Sequence, residues 1–172
     1  HQKIFCKERQ LLPYSLAKKN QVKKVVLLIT AMILVFMASA QTHKTAQRLI
    51  HYNLSAKNLA LEGYDPVSYF SGKPVKGRAE YAVQHEGVMY RFANAAHKEV
   101  FLKSPSVYKP QYGGWCAYAM GSNGTKISVD PQTFKIVNGK LYLFYNSFFN
   151  NTLTSWNKNE AVLMKAADVS WN

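Results

Sequence analysis

The chain has 172 residues, 48% apolar and 13% aromatic, enough for one packed domain with a short appendage and too apolar for a disordered chain. Its formal charge is +13, but residues 1–40 hold seven of the 22 basic and one of the nine acidic residues; 15 and 8 remain, a net +7. Those basics stand singly rather than in a patch or stripe, which argues against nucleic acid as a partner.

The N-terminal stretch reads as an export signal. Lys23-Lys24 precede an apolar run from Val25 to Met37 broken only by Thr30, and Ala38-Ser39-Ala40 supplies the small-x-small pattern of a cleavage site. The run has the length of a signal core and is short for a bilayer-spanning helix. The expected segments are therefore an upstream extension over 1–21, which begins with His1 and contains Cys6, a signal peptide over 22–40, and a leader arm over 41–53. The reading implies an exported protein, periplasmic or secreted after cleavage following Ala40, with membrane contact only through the signal. Cys116 then becomes the sole cysteine of the mature chain.

From Leu54 to Gly63 the pattern is that of a strand, and Asp65-Pro66 starts a turn into Val67-Ser68-Tyr69-Phe70. Alternation over Tyr81, Val83 and His85, then Glu86-Gly87 and Val88 to Phe92, predicts a β-hairpin. Asn94 is placed to cap a helix through Lys103, Pro105 ends it, and Ser106-Val107-Tyr108 forms another turn. Gly113-Gly114 opens Trp115-Cys116, and Ala117 to Met120 reads as a short helix stopped by Gly121. Thr133 to Val137, Asn138-Gly139 and Lys140 to Tyr145 give the clearest hairpin. From Ser147 onward Phe149, Leu153, Trp156, Leu163 and Ala167 recur at helical steps, with a break near Asn157–Asn159. The sum is a small α+β domain over 54–172, two β-hairpins with packed helices.

Few residues carry chemistry. After a Gly-Gly turn and before a helix, the Cys116 thiol would feel the positive end of backbone dipoles, which favours its thiolate; the alternative is a small buried hydrophobe between Trp115 and Tyr118. His97, Met120 (one helical turn beyond Cys116) and His85 complete a candidate soft N/S set suited to copper or zinc. The competing readings are a hydrogen-bonded helix histidine and a core methionine, and Asp65 reads as a turn anchor. No Cys-x-x-Cys, His-Glu-x-x-His, Gly-x-Ser-x-Gly or phosphate-binding loop is present, which favours a binding module over an enzyme. Asn53-Leu54-Ser55, Asn123-Gly124-Thr125 and Asn150-Asn151-Thr152 match the glycosylation triplet.

Tyr64-Asp65-Pro66-Val67-Ser68-Tyr69-Phe70, Tyr90-Arg91-Phe92, Phe101 with Pro105 and Tyr108, and Gly113-Gly114-Trp115-Cys116-Ala117-Tyr118-Ala119 together resemble exported bacterial YHS-domain proteins, over roughly residues 54–172. The resemblance implies a treble-clef-related fold. It also implies that Ser68, Ala93 and His97 stand where metal-binding relatives carry cysteines, so that a thiol-rich zinc site is absent and only His97 keeps ligand capacity. Some members of the resembled subgroup carry selenocysteine at the position matching Cys116, which implies redox or soft-metal use of that position. The leading expectation is an exported module for a soft metal ion, copper first, held by Cys116 and His97 with Met120 or His85. The alternatives are a lone Cys116 thiolate served by an external thiol partner, and a structural or partner-binding domain with a buried cysteine.

Overall fold

The computed structural model describes residues 14–171; Cys6 and most of the 1–21 extension lie outside them. The chain divides after Lys44. Helix α1 runs over Tyr14–Leu49, so the segment expected as a leader arm is helical in its first part. Its stretch Gln21–Ala38 is exposed and, by length and composition, apolar enough to cross a membrane; a signal sequence passes the same test.

From Thr45 onward the chain is a mixed helix-and-sheet unit. The expected strand over 54–63 is instead two short ones, β1 (Leu54–Ser55) and β2 (Leu59–Ala60), folded on each other as an antiparallel pair. Lys57 and Asn58 adopt positive φ between them and Leu61, Glu62 and Gly63 do so after them, bends that break any longer strand. The first predicted hairpin is present as β3 (Arg78–His85) and β4 (Val88–Phe92), paired antiparallel with His85 opposite Val88. Leu59 pairs in parallel with Met89, which gives a four-stranded sheet in the order β1-β2-β4-β3.

Helix α2 (Ala95–Lys103) begins where Asn94 Oδ1 accepts the His97 N–H at 2.8 Å. Helix α3 (Pro105–Tyr108) follows, and α4 spans Ala117–Asn123. Gly121 does not stop α4, which ends at Gly124 in the left-handed region. A Cβ on Gly121 would collide with the Leu163 backbone carbonyl, so this glycine lets α4 lie close to the C-terminal helix. The second hairpin is β5 (Asp130–Val137) with β6 (Lys140–Phe144), turned by Asn138 and Gly139 at φ +50 and +70.

Strand β6 divides two cores by the two-residue alternation of a strand. Leu141 and Leu143 pack with Tyr69, Tyr90, Phe92 and Phe101. Tyr142 and Phe144 pack with Met120, Trp156 and Ala167. The helix expected from Ser147 starts later. A small hairpin, β7 (Asn146–Ser147) and β8 (Asn150–Asn151), precedes α5 (Thr152–Lys158) and α6 (Glu160–Trp171), with the break at Asn159. Phe149, assigned from the sequence to the apolar helix face, stands in the turn of that hairpin.

Candidate functional site

Cys116 is held by the backbone on every side. Tyr112, Gly113 and Gly114 have positive φ in succession, and a Cβ on Gly113 would lie 2.8 Å from the Trp171 ring and 3.0 Å from the His51 carbonyl. Only glycine fits that bend. The chain then extends through Trp115, and Cys116 caps α4. Its N–H donates to the Ile127 carbonyl at 3.0 Å and its carbonyl accepts the Met120 N–H at 3.0 Å, while the residue bridges Leu143 of β6 in parallel.

The sulfur has two polar neighbours that the sequence did not point to. The Tyr145 N–H donates to Sγ at 3.3 Å, and Thr152 Oγ1 lies 3.4 Å from Sγ. The Thr152 hydroxyl also donates to the Tyr145 carbonyl at 2.8 Å, and the same carbonyl accepts the Thr152 N–H at 3.0 Å. The Thr152 hydroxyl is therefore a rotor. With a neutral thiol, S–H donates to Oγ1 while the hydroxyl proton points to Tyr145. With a thiolate, the hydroxyl turns to Sγ, and the Tyr145 carbonyl keeps its backbone donor.

Cys116 closes a pocket of about 330 Å³ with side chains of Tyr118, Ser122, Asn123, Thr125 and Asn150 in its lining. The cysteine itself has 0% exposure, so a reactant reaches Sγ only when this lining opens. His97, Met120 and His85 are not among the lining residues.

Those three sit in other surroundings. Met120 is core, packed with Tyr142, Phe144 and Trp156. His85 lies 3.7 Å from the Glu86 carboxylate, with its ring edge-on to Phe101 at 5.7 Å between centroids. His97 Nδ1 lies 2.6 Å from Asp65 Oδ2. Asp65 is fully buried; its Oδ2 also accepts the Ala93 N–H at 2.8 Å and its Oδ1 the Val67 N–H at 2.9 Å. The Ser68 hydroxyl donates to the Asp65 carbonyl at 2.6 Å. Ser68, Ala93 and His97, the three positions where the resemblance implies vacated thiols, thus converge on one aspartate.

The Asp65 contact orients the His97 ring and turns Nε2 away from the carboxylate, as second-shell carboxylates do for histidine ligands. Among the described residues no group of three or more His, Cys, Asp or Glu side chains is gathered that could hold a metal ion. The hydrogen-bond partners of Sγ are a backbone N–H and a hydroxyl. No family model, curated protein or solved structure matches the chain.

Proposed function

We propose that this is an exported, YHS-like thiol protein in which Cys116 reacts as a lone thiolate and is restored by an external thiol partner. The observation that carries this reading is the Tyr145 N–H and Thr152 hydroxyl pair on Sγ, beside the pocket that Cys116 helps to line. The apolar Gln21–Ala38 stretch near the N-terminus supports export. In the reaction the thiolate attacks a peroxide oxygen, giving a sulfenic acid and releasing water or an alcohol. An external thiol then displaces water to form a mixed disulfide, and a second thiol releases Cys116 with formation of the partner's disulfide. With cleavage after Ala40, Cys6 is removed and Cys116 is the one cysteine left in this sequence, so in this reading the resolving thiol comes from outside.

A copper or zinc ion is the second reading. It draws on the Asp65-oriented imidazole of His97 and would need Cys116 to reach a second ligand beyond its present lining.

The deciding measurement is the rate at which hydrogen peroxide oxidises Cys116 at neutral pH, in the wild type and in Thr152→Val. The wild type is expected to form the sulfenic acid faster than free cysteine does. Thr152→Val, which keeps the backbone bond to Tyr145, should react more slowly. A wild-type rate at or below that of free cysteine, or no difference between the proteins, rejects the thiolate reading. Binding of Cu(I) or Zn(II) that Cys116→Ser and His97→Ala both abolish would establish the second reading instead.

A further inference from the structure

Two features that border one pocket leave apolar side chains in water. The β7–β8 hairpin turns through Phe148 and Phe149, which are 99% and 106% exposed. Phe148 holds φ at +51, a conformation that two-residue turns normally give to Gly, Asn or Asp and that bulky residues avoid. A sequence that accepts both turn strain and full exposure of two aromatic rings breaks two local rules at one place. Such places are where a surface is used.

The second feature is a groove of about 780 Å³ between the end of α4 and the outer face of α6. Gly121 and Gly124 form its floor on one side, and Val162, Lys165, Ala166 and Val169 line the other. Val162 and Val169 are 71% and 74% exposed. Ser122 and Asn123 belong both to this groove and to the Cys116 pocket, whose lining also includes Asn150 of the Phe-bearing hairpin. Tip and groove therefore border the same pocket.

We propose that the groove receives the Phe148-Phe149 tip of a second copy of this chain, in a reciprocal pair in which each copy gives a tip and a groove. When both contacts form within one pair, the interface is isologous and closes about a twofold axis instead of running on as an open chain. A buried aromatic side chain removes about 150–250 Å² from water, so the two tips contribute roughly 800 Å². The grooves they cover take the total past the ~1,000 Å² expected of a specific interface. Lys165, the one charge lining the groove, sits where an ammonium over an aromatic face is favourable. A membrane surface is the weaker occupant, because the residues beside the tip, Asn146, Ser147, Asn150 and Asn151, carry no charge for lipid headgroups.

The test places a photoreactive phenylalanine derivative at position 149 of the full chain in cells. Irradiation should give a species of twice the chain mass, with the cross-link mapping to the peptide containing Val162 and Val169. Val162→Glu should remove it. A cross-link to lipid, to another protein or within the same copy, no cross-link, or one unaffected by Val162→Glu overturns the proposal. For the purified full chain in mild detergent, Phe148→Ser/Phe149→Ser should weaken self-association at least ~100-fold, with thermal unfolding unchanged because both rings are exposed. Equal self-association also overturns it. No readout involves the thiol, so these results stand apart from the reactivity of Cys116.

Discussion

Replacing Asp65 by alanine tests the hydrogen-bond centre that joins the 65–68 turn to α2. The carboxylate is fully buried and accepts the Val67 N–H, the Ala93 N–H and the His97 imidazole. Alanine leaves two backbone N–H groups without a partner, at about 1–3 kcal/mol each. It also removes a charge-assisted bond to a ring whose other side faces water, for a total of roughly 3–8 kcal/mol. That is a large share of the ~5–15 kcal/mol typical of a domain. His97→Ala leaves the carboxylate with both backbone donors, so it should cost only about 1–2 kcal/mol. Urea unfolding of the two variants, compared at unchanged slope, measures the difference. A loss below about 1 kcal/mol for Asp65→Ala, or equal losses for the two variants, would refute the idea that the backbone donors dominate.

Gly121→Ala should destabilise by about 1–3 kcal/mol despite the better helix propensity of alanine, because its Cβ meets the Leu163 carbonyl. Gly139→Ala, with no atom within 4 Å of the added carbon, should lose only the turn preference; similar melting points for the two would contradict the close approach of α4 and α6. The hydroxyls of Tyr69, Tyr90 and Tyr112 are pushed well above the usual phenol value, first by burial, and for Tyr112 also by its bond to Asp168. A pKa raised on folding gives stability that is complete below the unfolded value of about 10 and is lost as pH climbs toward the folded values. Stability should therefore fall by up to roughly 4 kcal/mol per pH unit above about 10, with the ring-carbon NMR signals of these three tyrosines moving to their phenolate positions only on unfolding; a phenolate signal from any of the three in the folded protein would refute it.

The parts of this fold legible in the sequence are those fixed locally. Asn138-Gly139 and Glu86-Gly87 carry the positive φ values their turns need, Asn94 makes its cap, and the helix break falls at Asn159. Elsewhere one local rule was outvoted by another, or by contacts distant in sequence. Phe149, Leu153 and Trp156 keep helical spacing, yet Asn151 Oδ1 accepts the Leu153 N–H and starts the helix at Thr152, which throws both phenylalanines into the turn before it. Gly121 reads as a stop signal, but its lack of a side chain serves the contact with α6. The groups touching Cys116 are 29 and 36 residues away along the chain, beyond any motif.

That distance bears on what a solitary cysteine is for. Residue type alone grouped Cys116 with His97, Met120 and His85, because all four can donate to a soft metal. Their surroundings give them different roles. Met120 fills a core, and His97 completes a cluster in which one carboxylate ties Val67, Ala93 and α2 together. That buried aspartate, with three donors, staples these segments to one another. Cys116 lies in no such staple; its two partners, a backbone N–H and a rotating hydroxyl, are ones that serve thiol and thiolate alike. The same two partners also satisfy a buried neutral thiol, so the rate at which Cys116 is oxidised, rather than its hydrogen bonds, separates reaction from packing.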